Sequence, residues 1–241
     1  MSAKTLHFKS SVTSSFHDDG LLGACAVAAG MIGRRLVGRR LRRVWMLRRQ
    51  RQFDRKFSVD TCEDNREVAS HANLLYGDNL RYEPASVTKL EKLFEALPID
   101  PREYAFIDLG CGKGAAMILA LERGFQAVIG VEFDRGLSAI AARNLQLART
   151  RRLSLCTADV VNLDAAEYRF PNIPSLIFMF NPFGEDTVRA VLHNIENTFN
   201  DHPRELYVAY FNPVHREVLE SSTRLVLIKK RPFRSAVYRV F

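Results

Sequence analysis

Residues 106–114 have the sequence FIDLGCGKG, and this stretch decides the fold. Its first half lies in a short apolar run, Ala105–Leu109, of the kind that forms buried strands. Its second half has glycine at alternate positions, which lets the backbone turn sharply and approach a ligand before a helix begins. The G-x-G-x-G spacing differs from the G-x-G-x-x-G of a pyrophosphate-binding turn. The stretch therefore predicts a strand, a ligand-binding turn and a helix in succession.

Similar apolar runs recur along the chain and alternate with helix-length segments. The predicted strands are Ala105–Leu109, Ala127–Glu132, Leu153–Thr157, Ser175–Phe180 and Leu206–Phe211. The predicted helices are 113–123, 134–149, 185–199 and a shorter one from about Val214. Strands that are apolar throughout need cover on both faces, so the pattern predicts a doubly wound, mostly parallel α/β sheet. Leu225–Lys230 and Ala236–Phe241 are expected to close it as an antiparallel pair.

Carboxylates stand at or near the ends of the first three predicted strands. A doubly wound sheet binds its ligand at the carboxyl ends of the strands. Asp108 lies two residues before the first glycine, where it suits a cationic ligand better than phosphates. Glu132 ends the second strand and suits the two hydroxyls of a ribose, and Asp159 follows the third and suits an adenine amino group. Together they predict a site for a cationic nucleoside.

Four motifs, FIDLGCGKG, VIGVEFD, CTADV and FNPF, resemble the successive signatures of the class I S-adenosylmethionine-dependent methyltransferases. The resemblance covers residues 82–241. It is strongest to small bacterial methyltransferases of unassigned substrate, sometimes described as similar to histone-lysine methyltransferases of the Dot1 type. Those proteins also carry stretches like 53–61 and 82–84 of this chain. The resemblance implies a seven-stranded Rossmann-like sheet with its last strand antiparallel, and S-adenosyl-L-methionine lying across the strand ends.

The resemblance also implies a set of cofactor-binding residues. They are Asp108, Gly110, Gly112, Gly114, Glu132, Phe133, Asp159, Tyr82 and Glu83. In such a site the three glycines allow close approach, and Asp108 meets the methionine ammonium directly or through water. Glu132 holds the ribose, while Asp159 binds the adenine with Phe133 against the purine. The two residues before the first strand close over the methionine end.

The segment after the fourth strand is the candidate acceptor loop. In methyltransferases that act on amino groups, a related Asn/Asp-Pro-Pro-aromatic loop offers oxygens to the acceptor nitrogen. By this resemblance Asn181, Pro182 and Phe183 are the catalytic candidates, although a single proline and Phe in place of Tyr depart from the pattern. An Asn-Pro that merely ends the strand is the alternative, since residues 212–213 repeat it. His215 is either an acceptor-side base or a surface or capping residue.

The net charge of +8 is concentrated near the amino end. Residues 34–56 hold eleven Lys and Arg against one Asp, a charge of +10, which leaves −2 for the remainder. The apolar residues of this Arg-rich segment fall on one helical stripe: Val37, Leu41, Val44, Trp45 and Leu47. Three interpretations stay open, namely packing on its own domain, an anionic membrane surface, and nucleic-acid phosphates. The uncharged stretch 20–33 is too short for a membrane-spanning helix.

These patterns divide the chain into three parts. Residues 1–56 form a helical, basic extension, 57–100 a helical lead-in and acceptor-side cap, and 101–241 the domain that binds S-adenosylmethionine. The four cysteines are widely spaced without a CxxC pair, so neither a disulfide framework nor a metal site is expected. A reducing cytoplasm is the default location, with attachment at a membrane periphery as an option.

The hypothesis that these patterns favour is an N-methyltransferase acting on a protein side-chain amine or amide. The first alternative is an RNA or DNA base methyltransferase that uses the Arg-rich segment to hold phosphates. The second is a membrane-associated protein that binds the cofactor without turnover. A nicotinamide-dependent oxidoreductase is disfavoured by the glycine spacing.

Overall fold

A computed structural model describes five parts of the chain. These are residues 44–62, 86–151, 156–180, 183–231 and 235–241. Predictions that fall on Tyr82, Glu83, Asn181, Pro182 and the stretch 20–33 therefore lie outside the described residues. The chain divides into two units, residues 1–49 and 50–241.

Seven strands form one sheet in the larger unit. They are β1 (Ala105–Leu109), β2 (Ala127–Glu132), β3 (Thr157–Asn162), β4 (Ser175–Phe180), β5 (Leu206–Phe211), β6 (Leu225–Arg231) and β7 (Ser235–Val240). Their order across the sheet is β3-β2-β1-β4-β5-β7-β6. The first five pair in parallel, and β7 runs antiparallel to both β5 and β6. The doubly wound, mostly parallel seven-stranded fold is confirmed.

Helices cover both faces of this sheet. They are α1 (44–57), α2 (Val87–Phe94), α3 (Ala115–Arg123), α4 (Arg135–Arg151), α5 (Glu185–Asp201) and α6 (Arg216–Glu220). The helices α1, α2, α3 and α4 contribute to one apolar cluster on one face of the sheet. The helices α5 and α6 contribute to a second cluster on the other face. The predicted helices are confirmed to within two residues at their described ends.

The strand β1 lies inside the sheet between β2 and β4, and it is buried along its whole length. Phe106 points to one cluster and Ile107 to the other. The Phe106 ring lies 5.5 Å from Phe94 of α2 and 5.9 Å from Phe178 of β4, measured between ring centroids. Burial on both faces explains why this strand is an unbroken apolar run.

The third strand differs from the prediction. Of the predicted Leu153–Thr157, residues 153–155 lie outside the described part, and β3 instead covers Thr157–Asn162. This strand is at the edge of the sheet, paired only with β2, and its exposed Thr157, Asp159 and Asn162 face solvent. An edge strand tolerates such polar positions. The search for continuous apolar runs therefore selected a segment too early in the chain.

Residues 50–56 carry part of the basic charge and lie in the larger of the two units. Phe53 and Phe57 lie one turn apart on α1 and are buried in the main core together with Val59. The basic charge extends to Lys56, but apolar burial begins earlier. Apolar burial therefore begins within the basic segment, before its last positive charge at Lys56.

The smaller unit is described only over residues 44–49, which are helical. The predicted apolar stripe is exposed there, with Trp45 52% accessible and Val44 and Leu47 also exposed. The Arg49 guanidinium lies 6.0 Å from the centre of the Trp45 ring. Within the described parts of the chain, no helix combines the length and the apolarity that crossing a membrane requires.

Two truncations test where the folded core begins. Removing residues 1–49 should leave the thermal unfolding of the larger unit cooperative. Removing residues 1–62 deletes three buried apolar side chains, each contributing roughly 1.5–3 kcal/mol, and should abolish cooperative unfolding. Circular dichroism during heating measures both. Equal melting midpoints for the two truncations would show that residues 50–62 are not part of the core.

Candidate active site

The turn between β1 and α3 is held in a shape that only glycine adopts readily. Gly110, Gly112 and Gly114 have φ angles of 75°, 54° and 82°, all in the left-handed region. The backbone N–H groups of Gly110 and Cys111 donate to the Val131 carbonyl at 2.8 and 3.1 Å. The turn is thus bound to β2 at the carboxyl end of the sheet, and its glycines carry no side chain that would prevent a close approach to the backbone.

Asp108 lies just before this turn and is only 3% exposed. Burial, together with a smaller effect of the nearby Glu132 carboxylate, raises the pKa of Asp108 to about 8. A carboxyl group in this environment is largely neutral at pH 7. A cation placed beside it would favour the ionised form, so the position is suited to a positively charged ligand group.

Glu132 ends β2 and connects that strand to the glycine turn. Its Oε2 accepts the Gly112 N–H at 2.8 Å, and its Oε1 accepts the Asp134 N–H at 2.9 Å. Burial raises the pKa of Glu132, while these backbone hydrogen bonds oppose the rise. The Phe133 N–H also donates to this carboxylate, and of the four lone pairs on its two oxygens one remains that can accept a ligand hydroxyl.

Asp159 does not lie at this edge of the sheet. It is exposed in the middle of β3, three residues before the strand ends at Asn162. Its Cα pairs with Ile129, whereas Asn162 pairs with Glu132. The expectation that Asp159 follows the third strand is therefore wrong, because the strand itself begins and ends later in the chain.

Asp164 is the carboxylate that follows β3. The Leu163 N–H donates to the Glu132 carbonyl at 3.2 Å, which holds the chain beside the end of β2. The Asp164 Oδ1 accepts the Ala166 N–H at 2.9 Å and caps a short 3-10 turn. The sequence analysis missed this residue. Its only sequence signal is its distance from the strand end, which depends on knowing where β3 ends.

Phe133 and Gly130 complete the β2 side of the site. The Phe133 ring is 49% exposed, and the Phe133 carbonyl accepts the Asn162 side-chain N–H at 2.8 Å. A Cβ on Gly130 would lie 2.3 Å from the Met117 Sδ and 2.8 Å from the Cys111 Sγ. Gly130 is therefore required for α3 and the glycine turn to pack on β2. The sequence analysis missed it because its neighbours come from distant positions.

The acceptor side is described only in part. Phe183 is half-buried and packs against the apolar cluster on the α5 face of the sheet. His215 stands at the N-cap of α6, and its side chain makes no capping hydrogen bond. In the parts of the chain that the structure describes, no group of three His, Cys, Asp or Glu side chains could hold a metal ion.

Residues 106–201 match the model of a protein family described as a methyltransferase domain. The match begins in β1 and ends with α5, so it includes the glycine turn, the ends of β2 and β3, and the candidate acceptor loop. No sequence among curated proteins is significantly similar to this chain.

Several solved structures share the fold at low sequence identity. The ribosomal protein L11 methylase of Lactobacillus delbrueckii subsp. bulgaricus is 14% identical over 67% of this chain and 81% of its own, with a TM-score of 0.49. A putative RNA methyltransferase of Pyrococcus horikoshii is 20% identical over 63% of this chain and 80% of its own, with a TM-score of 0.46. The magnesium protoporphyrin IX methyltransferase of Synechocystis PCC 6803, with bound SAH, is 15% identical over 73% of this chain and 94% of its own, with a TM-score of 0.43. At these TM-scores none of them bears on the acceptor of this chain.

Replacing Asp108 with Asn should stabilise the ligand-free protein above about pH 4. The folded pKa of about 8 exceeds the ordinary value of 3.8, so ionising Asp108 destabilises the folded state. The loss of folding stability caused by Asp108 grows as the pH rises from about 4 to about 8, the range between its unfolded and folded pKa values. Asn carries no charge, so the melting temperature of Asp108→Asn should exceed that of the parent by an increasing margin, roughly 2–4 °C per kcal/mol.

Melting curves between pH 4 and pH 8 measure this difference. Glu103→Gln is the control, because it removes an exposed carboxylate just before β1 and should show no such trend. An Asp108→Asn protein that melts below the parent at pH 8 would contradict the raised pKa.

Proposed function

We propose that this chain, a class I S-adenosylmethionine-dependent methyltransferase, transfers a methyl group to a side-chain amine or amide nitrogen of a protein. The observation that carries the proposal is the site at the carboxyl ends of β1 to β3. There a turn with three left-handed glycines lies beside two buried carboxylates, Asp108 and Glu132. S-adenosylmethionine supplies the methyl group on a sulfonium, already activated for displacement.

The residues present fit this cofactor. Asp108 is a buried carboxyl that gains most from a neighbouring cation, which suits the methionine ammonium. Glu132 keeps a free lone pair for a ribose hydroxyl, and the glycine turn leaves room for the cofactor to lie against the backbone. In this proposal Asp164, not Asp159, accepts the adenine amino group, and the exposed Phe133 ring packs on the purine.

For methyl transfer the chain has chiefly to align the acceptor nitrogen with the methyl group and to exclude competing geometries. We assign this to Asn181, Pro182 and Phe183, which follow β4 in the sequence. The Asn181 side-chain oxygen would accept a hydrogen from the acceptor nitrogen and orient its lone pair. Phe183 packs on the α5 face and so anchors the far end of this loop.

A groove near the ends of β4 and β5 supports an acceptor that carries negative charge. It encloses about 540 Å³ that is open to solvent, and it is lined by Lys89, Lys92, Leu93, Ala96, Phe211, Lys229, Ser235 and Val237. Phe211 ends β5, and the Lys89 Nζ lies 5.8 Å from the ring of Phe180, which ends β4. Three lysines over an apolar floor suit an acidic protein segment around the methylated side chain.

A nucleic-acid base is the second candidate acceptor. The same three lysines and the Arg-rich segment 34–56 favour it, because phosphates are neutralised by Lys and Arg. Among the described residues that line the groove, the only aromatic ring is that of Phe211, which is buried and not open to base stacking. For this reason we place the protein acceptor first. Attachment at an anionic membrane through the exposed Trp45 is compatible with either acceptor.

Variants of Asp164 and Asp159 test which of the two residues binds the adenine amino group. Asp164→Asn keeps an oxygen for the cap on Ala166 but presents an amide nitrogen to a donor, so affinity for S-adenosylmethionine should fall roughly tenfold. Asp159→Asn is the matched control on the exposed strand and should leave affinity unchanged. Titration calorimetry measures both. The reverse outcome would restore Asp159 as the adenine ligand.

Methyl-labelled S-adenosylmethionine tests the acceptor. Incubated with the protein and a lysate of its native host, it should place label in material that protease degrades. Label that nuclease removes would establish the second candidate instead. Cofactor binding without any label transfer would mark a non-catalytic cofactor-binding protein.

Two variants connect that transfer to the proposed acceptor side. Asn181→Ala should slow transfer about a hundredfold while S-adenosylmethionine affinity stays constant. Lys92→Glu with Lys229→Glu should weaken use of the labelled substrate, again at constant cofactor affinity. Unchanged transfer in Asn181→Ala would remove this residue from the mechanism.

A further inference from the structure

Residues 50–62 form a closed hairpin-like segment that lies against the glycine turn. The Asp54 carboxylate accepts the backbone N–H groups of Thr61 at 3.2 Å and Cys62 at 3.0 Å, and also the Thr61 hydroxyl. The buried Gln50 donates its side-chain N–H to the Thr61 hydroxyl at 2.7 Å. These bonds tie the end of the segment back to α1, so residues 50–62 move as one piece.

Asn144 of α4 joins this segment to the glycine turn. It is buried, and its Oδ1 accepts the Asp60 N–H at 3.2 Å. Its two side-chain hydrogens go to the carbonyls of Asp60 at 2.9 Å and Lys113 at 3.0 Å. One amide therefore links three separate parts of the chain. An apolar residue of similar size could fill the space but could make none of these bonds.

The second link is an ion pair. Lys113 lies between Gly112 and Gly114 and is completely buried, which is costly for an ammonium group without a partner. The Asp60 carboxylate lies 3.4 Å from the Lys113 Nζ and is half-exposed. The buried charge of the turn is thus balanced from residues 50–62, at a carboxylate that remains in contact with solvent.

Both links act on the residue next to a site contact. Gly112, the neighbour of Lys113, donates its N–H to Glu132 at 2.8 Å, and Glu132 is the proposed ribose ligand. Lys113 anchors the backbone beside that N–H, because only the two rotatable backbone bonds of Gly112 separate the two peptide planes. Three left-handed glycines leave the turn with little rigidity of its own, so its shape depends on external contacts.

We propose that residues 50–62 act as a positioning strap, in which Asp60 and Asn144 hold the glycine turn in the shape that binds S-adenosylmethionine. Neither residue needs to touch the cofactor. The strap is independent of the acceptor proposed above and rests only on cofactor binding by this chain. It assigns a task in cofactor binding to a segment of the chain that lies outside the matched methyltransferase domain.

The test uses Asp60→Asn in the full chain, because the half-exposed carboxylate can be neutralised without opening the core. The dissociation constant for S-adenosylmethionine should rise about tenfold by calorimetry, since the buried Lys113 ammonium loses its ion pair with Asp60. Combining Asp60→Asn with Lys113→Met removes both charges and should recover most of that loss. Glu95→Gln is the control, as Glu95 forms an ion pair of the same 3.4 Å length with Arg123 away from the turn.

A spectroscopic readout separates positioning from general stability. With ¹⁵N-glycine labelling, the Gly112 amide resonance of the ligand-free protein should move in Asp60→Asn and return in the double variant, while Gly124 and Gly184 stay in place. Asn144→Leu should move the same resonance and weaken cofactor binding. If the Asn144→Leu protein fails to fold, the affinity and the Gly112 resonance of Asp60→Asn decide whether residues 50–62 position the turn.

A folded Asp60→Asn protein with unchanged cofactor affinity and an unmoved Gly112 resonance would overturn the strap. So would a loss of affinity that the double variant does not recover and that follows the melting temperature alone.

Discussion

The hydrogen bond from the Gly112 N–H to the Glu132 carboxylate is the interaction on which the rest of the site depends. It joins the turn after β1 to the end of β2, so that the backbone at one strand end and the acidic side chain at the next form one surface. The left-handed glycines make this approach sterically possible. The absence of a side chain at Gly130 allows Met117 and the turn to pack closely against β2.

The same site concentrates buried charge. Asp108 and Glu132 lie close enough for each ionised form to disfavour the other, and burial raises the pKa of both. The ligand-free protein therefore keeps acidic groups in an environment that suits them only when a cation is bound. Lys113 carries the opposite charge within the turn, but it is directed to Asp60. A cationic ligand group is thus the partner that suits Asp108.

How far the sequence predicted the structure varied with burial. The predicted bounds of β1, β2, β4 and β5 coincide with the observed strands, because central strands covered on both faces are apolar throughout. The prediction was wrong at β3, where an edge position permits exposed polar side chains, and Asp159 was misplaced as a result. In residues 50–57 the basic charge is visible in the sequence, whereas the burial of Phe53 and Phe57 is visible only in the structure.

The sequence by itself determined the fold class, the glycine turn, and the positions of Asp108 and Glu132, because each follows from local pattern: apolar runs, glycine spacing and a residue's place at a strand end. Only the tertiary structure decided that Asp164 follows β3, that Gly130 must lack a side chain, and that Asn144 and Asp60 hold Lys113. These assignments depend on register and on contacts between residues up to 84 positions apart, which no local pattern records.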